Sequence, residues 1–173
     1  MGGWSLAEDC VFVDNWATNR HGGGIFMWQC GATVTECTIV GNRAAEGGGI
    51  YCFTGWGEIR HSVIAFNSNG GAIACENAGD EYLQRENIIF GNDDGNSVCG
   101  IPSDNLFVDP LFCDLYGGSS GERDLGLCSK SPCLPENNDF SVHIGATWAT
   151  CEDCNSPVRN FTWGRLKALY SSR

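Results

Sequence analysis

Residues 37–52 read CTIVGNRAAEGGGIYC. Three β-formers, Thr38, Ile39 and Val40, lead to a turn asparagine, Asn42. Small residues follow, then Gly47, Gly48 and Gly49, then a second run of Ile50, Tyr51 and Cys52. The same phrase stands upstream at residues 10–28 as CVFVDNWATNRHGGGIFMW and downstream at 62–75 as SVIAFNSNGGAIAC. A weaker copy, NIIFGNDDGNSVC, occupies residues 87–99. The turn asparagines Asn15, Asn42, Asn67 and Asn92 fall 27, 25 and 25 residues apart.

A period in the twenties means stacked supersecondary units. The copies hold β-branched or aromatic runs between Gly/Asn turns, with no helical periodicity between them. That is the requirement of one coil of a parallel β-helix, with equivalent residues stacked about 4.8 Å apart. The alignment predicts apolar columns of Phe12, Ile39, Ile64 and Ile89, of Ile25, Ile50, Ile73 and Val98, and of Met27, Cys52 and Cys75. Asn15, Asn42, Asn67 and Asn92 should form an amide ladder at one corner. Gly24, Gly49 and Gly71 should allow tight corners without steric cost. The predicted class is all-β, a parallel β-helix of about four to five coils over residues 1–112. A cysteine-containing, loop-rich closing segment follows at 113–154. Residues 155–173 read as a linker and a short basic amphipathic helix, with Trp163, Leu166 and Leu169 or Tyr170 on one face.

The 173-residue chain carries a net charge of −11, which argues against nucleic acid and anionic membrane as partners. All 21 acids and six of the bases lie in residues 1–154, while 155–173 hold four bases and no acid. No apolar run is long enough to span a bilayer. Eleven cysteines and 24 glycines suit an exported protein, secreted or at the cell surface. No signal peptide precedes the first repeat. The N-terminus therefore reads as a cut through a longer protein, and the expected neighbours of its open end are upstream coils or an oligomer partner.

Phe12-x-x-Asn15 with Gly22-Gly23-Gly24-Ile25, and Ile39-x-x-Asn42 with Gly47-Gly48-Gly49-Ile50, resemble the FxxN and GG[A/I] repeats of polymorphic outer-membrane proteins. Ile64-x-x-Asn67 with Gly70-Gly71-Ala72-Ile73 does so too. More broadly the repeats are similar to those of the pectate-lyase-like superfamily, over roughly residues 7–100. The resemblance implies a right-handed helix and export. Residues 109–113, 127–138 and 144–151 resemble the closing segment of secreted β-helix proteins, except that Asp139 and Phe140 replace the Cys-Gly that usually follows Asn-Asn.

Fold does not fix function. Of the acid and base motifs that galacturonases of this fold carry on successive coils, only a paired Asp93-Asp94 is present, in a Gly/Asn turn. No cofactor is expected, with calcium at this pair as the alternative, which would need more oxygens than these two acids guarantee. Repeat alignment puts Asp9, Glu36, His61 and Glu86 in one column and Glu8, Thr35, Arg60 and Arg85 in the next. Such an edge is either a charge-paired surface or part of a ligand face. Trp28, Tyr51 and Trp56, with Arg60 and His61, are the candidate ligand-binding residues, the aromatics serving as platforms for sugar rings. Cys113, Cys128, Cys133, Cys151 and Cys154 are the disulfide candidates, preferred over a four-cysteine zinc site because the context is export-like. Two functions remain. One is a structural or binding module, adhesive or glycan-binding, with a polysaccharide or cell-surface glycan as partner and no recognisable catalytic set. The other is the C-terminal part of a polysaccharide lyase or glycoside hydrolase whose site lies in upstream coils.

Overall fold

The computed structural model describes residues 3–18, 20–77, 82–96, 99–115 and 123–152. It is an all-β parallel solenoid of about five turns, as the repeat predicts. Two compact units are distinguished, residues 1–110 with 132–146, and residues 111–131 with 147–173.

In the first unit, one sheet stacks β2 (Val11–Val13), β4 (Thr38–Val40), β6 (Val63–Ala65) and β9 (Ile88–Phe90) in that order. The other sheet stacks β1 (Trp4–Glu8), β3 (Ile25–Thr35), β5 (Ile50–Arg60), β8 (Tyr82–Arg85) and β10 (Ile101–Ser103). β7 (Ile73–Glu76) pairs with the first half of β5, and β8 with its second half. All these pairs are parallel. The long strands bend where Gln29, Thr54 and Asn77 take positive φ, so each coil offers three faces. Another corner repeats positive φ at Asp9, Glu36, His61, Glu86 and Asp104.

The predicted columns are present. Phe12, Ile39, Ile64 and Ile89 stack in register. Ile25, Ile50 and Ile73 do the same, as do Met27, Cys52 and Cys75, while Val98 lies outside the described residues. Ile39, Ile64 and Ile89 are fully buried, each stabilising the fold by about 1.5–3 kcal/mol relative to exposure.

The asparagine ladder is continuous. Asn42 Oδ1 accepts from the backbone N–H and the Nδ2 of Asn15, at 3.0 and 2.9 Å. Asn67 Oδ1 does the same for Asn42, and Asn92 Oδ1 for Asn67. The Nδ2 of Asn42 also donates to the Phe12 carbonyl, and that of Asn67 to the Ile39 carbonyl. Turn donors and acceptors that a buried corner would otherwise leave unpaired are thereby satisfied.

A second ladder, not anticipated, runs beside the covered sheet. Cys37 N–H donates to Ser62 Oγ, Ser62 N–H to Asn87 Oδ1, and Asn87 N–H to Asn105 Oδ1. It continues into coil five, past the point where the sequence pattern fades.

Close approach explains two of the three structural glycines. A Cβ on Gly24 would lie 2.7 Å from the Gly49 carbonyl oxygen, and one on Gly49 would lie 2.5 Å from that of Ala72. The pairing of Ile50 with Ile73 makes Ala72 the third member of this column. Gly71 stands one position earlier, with φ of 73°.

Residues 132–146 cover the outer face of the β4–β6 sheet. Asn138 knots this segment, its Nδ2 donating to the Pro132, Leu134 and Val142 carbonyls. Gly145 N–H donates to the His61 carbonyl, and Ala146 N–H to Thr38 Oγ1. Thr38 and Val63, which point away from the interior, are consequently fully buried.

In the second unit, β11 (Phe112–Asp114) pairs antiparallel with β12 (Asp124–Cys128), and β12 pairs parallel with β13 (Ala149–Cys151). Cys113 and Cys151 form a disulfide. Cys128 is also disulfide-bonded.

One cysteine expectation needs correction. Cys133 keeps its thiol, because it is fully buried with its Sγ directed at the Pro110 carbonyl. Cys75 keeps its place in the core column and bonds Cys99 on the next coil, their Cα atoms 5.7 Å apart. Cys154 and the C-terminal helix lie outside the described residues.

Candidate ligand-binding face

Among the described residues, one sheet is covered and the other is not. On the uncovered sheet, alternation along β3 and β5 turns Ile25, Met27, Ile50 and Cys52 inward. Phe26, Trp28, Tyr51 and Phe53 therefore point outward. Parallel register places Phe26 beside Tyr51 and Trp28 beside Phe53. The ring centroids lie 5.7 and 5.2 Å apart. Phe26 meets Trp28 edge-on at 5.8 Å, so the four rings form one contiguous patch.

Tyr51 differs from its expected role. It faces outward yet is only 1 % exposed. The His21 ring, brought in by the bridge between His21 and Glu46, stacks on it at 4.3 Å. Its hydroxyl donates to Glu76 Oε2 at 2.6 Å. Burial, then the Glu76 hydrogen bond and the charges of Glu76 and Glu46, hold the phenol well above its ordinary pKa. Tyr51 is thus a buried support and not an open platform. Trp28 is 59 % exposed and supplies the open ring.

Beyond the bend, Trp56 is 53 % exposed and Trp4 is 60 % exposed. Trp4 was not among the candidates. It stands two coils from Trp56, and both pair in register with Gly31 on the strand between them. The two indoles meet across that glycine at 4.9 Å. The available signal was the alignment of Trp4, Gly31 and Trp56, the glycine marking a place where neighbouring rings close over a strand.

The charged edge lies farther along the same strands. Arg60 and Arg85 are paired in register and share Glu58, whose Oε1 accepts from Arg85 Nε at 2.6 Å and whose Oε2 lies 3.5 Å from Arg60 Nε. His61 Nε2 is paired with Glu86. Arg60 and His61 therefore already have acidic partners within the protein.

Asp93 and Asp94 sit at a turn in the fourth coil. Asp94 Oδ2 accepts from Gly70 N–H at 2.6 Å. Burial, then the neighbouring Asp94 charge, raise the pKa of Asp93, and Arg43 opposes the shift. Among the described residues, no three His, Cys, Asp or Glu side chains gather in a way that could hold a metal ion. Among those residues, too, no helix is long and apolar enough to cross a membrane.

A family model described as the Chlamydia polymorphic membrane protein (Chlamydia_PMP) repeat matches residues 36–52. This is the phrase that carries β4, the buried Asn42 and the glycines before β5. No curated protein and no solved structure gives a significant match.

Proposed function

We propose that this chain is a surface-displayed β-solenoid module that binds glycans through the uncovered outer face of β1, β3 and β5. The observation that carries the reading is the exposure of Trp28 before the strand bend and of Trp4 and Trp56 beyond it, on consecutive faces of the same sheet. Such rings offer flat apolar area to the C–H faces of sugars, and the ladder-locked strands hold them in place. The match to a membrane-protein repeat and the disulfides support export to an oxidising surface.

The test is cosedimentation with a panel of neutral and acidic polysaccharides, with and without calcium, measuring both bound polymer and new chain ends. Binding without new chain ends is expected. The double variant Trp28→Ala/Trp56→Ala should lose it by at least about tenfold while keeping its circular dichroism spectrum. New chain ends, or binding indifferent to both tryptophans, would sink the reading.

A further inference from the structure

The rings of β3 and β5 end against carboxylates. The column that begins with Trp28 and Phe53 continues to Glu76 on the next coil. The parallel column of Phe26 and Tyr51 continues to Ala74, whose small side chain leaves room beside Glu76. Glu76 holds the Tyr51 hydroxyl, and Glu46, 3.2 Å from His21 Nδ1, acts on the same hydroxyl. Two carboxylates thus flank one end of the aromatic patch. Glu76 and Glu46 are both exposed, and a carboxylate has about four lone-pair sites, so acceptor capacity remains after these bonds are made.

From this we infer that the patch takes a neutral, hydroxyl-rich oligosaccharide lying along the stacking direction of the coils. The inference rests on the glycan-binding reading above and specifies its ligand class. One sugar ring lies on Trp28, and the chain runs over Phe53 towards Glu76. Trp28 and Glu76 are two coils apart, about 10 Å, which suits consecutive pyranose residues of an extended chain. Sugar hydroxyls donate to Glu76 and Glu46. Uronates and sulfated sugars are disfavoured, because their anions would face these two acids within a strongly acidic body. The Arg60 and Arg85 edge does not offset this, since both guanidiniums share Glu58.

The experiment is isothermal titration of the full chain with a β-1,4-linked gluco-hexasaccharide and a neutral galactan oligomer. Polygalacturonate, dextran sulfate and poly-lysine serve as comparison ligands, each in low salt and in about 0.5 M salt, where surface charge is largely screened. The expected result is binding of at least one neutral oligomer with an affinity insensitive to salt. Trp28→Ala should weaken it about tenfold, and Glu76→Gln about threefold or more. Preference for the acidic polymers, still dependent on Trp28, would overturn the neutral class and leave glycan binding standing. Salt-sensitive binding of poly-lysine alone would overturn it in favour of a cationic partner. An unchanged affinity in Glu76→Gln would remove the carboxylates from recognition. If no saccharide of either kind binds, the glycan reading falls as well.

Discussion

The indoles of Trp4 and Trp56 meet at 4.9 Å over Gly31, which belongs to neither of their strands but to the one between them. A Cβ at Gly31 would stand 2.9 Å from atoms of both rings. Gly31→Ala should therefore separate the pair and cost about 1–3 kcal/mol, as overpacking does. Thermal unfolding measures the loss, and a reduced Trp–Trp couplet in circular dichroism reports the separation. An unchanged couplet would show that the rings do not meet in solution.

The asparagine ladder makes a graded prediction. Asn67→Ala strips the acceptor from two Asn42 donors and the donor from the Ile39 carbonyl, all at a buried corner. Leaving such groups unpaired costs about 1–3 kcal/mol each. Asn15→Ala, at an exposed rung, should cost less than about 1 kcal/mol. Urea unfolding of the two variants gives the comparison, and equal losses would mean that the ladder is not held by burial.

Removing the Cys75–Cys99 cross-link should destabilise the solenoid by about 3 kcal/mol, the value expected for a loop of this length. Cys75→Ser/Cys99→Ser should unfold at lower denaturant, with the final coil losing amide protection first. A uniform change in hydrogen exchange would contradict that order.

Thiol reactivity should follow burial. Desolvation pushes the Cys37 thiol up to about 11 and the Cys52 thiol up to about 12. Both are fully buried, whereas Cys10 is half-buried. At pH 8 a thiolate-trapping reagent should label Cys10 in the native protein and leave Cys37 and Cys52 until unfolding. Peptide mapping of the labelled sites decides this.

Asp93 contributes with the opposite sign to an ordinary paired carboxylate. Its folded pKa is raised, so the folded state holds a proton that the unfolded state has already lost. Stability therefore falls as pH rises from the ordinary aspartate range through the raised value. Asp93→Asn should raise the melting temperature at pH 7 and lose that advantage below about pH 4. A gain that persists in acid would assign the effect to something other than charge.

The solenoid was legible because its period is enforced by the core. An inward Ile39, Ile64 or Ile89 has one job in every coil, so residue type repeats. The second ladder was not legible for the opposite reason. Cys37, Ser62, Asn87 and Asn105 play one role with three side chains, and no residue type recurs from coil to coil until the last two. The Cys75–Cys99 bond was hidden because register placed Cys75 in an apolar column, while Cys99 aligned with nothing. Of the candidate site, the outward direction of Tyr51 followed from strand parity, whereas Trp56 read as part of a protruding segment and lies within β5. The burial of Tyr51 did not follow, since it depends on a histidine delivered by a distant turn. Nor could parity show that residues 132–146 would lie over one sheet and leave the other bare.

The glycine beneath Trp4 and Trp56 gives the molecule two different rhythms. Its interior repeats once per coil, because every coil must present the same apolar columns to its neighbours. The column of Trp4, Gly31 and Trp56 skips a coil, because its two indoles come together over a strand position that carries no side chain. Duplicating or deleting the coil that carries Gly31 would preserve the core columns and put this indole pair out of phase. Gain or loss of a coil can thus recast the exposed aromatic pattern while the buried scaffold stays in register.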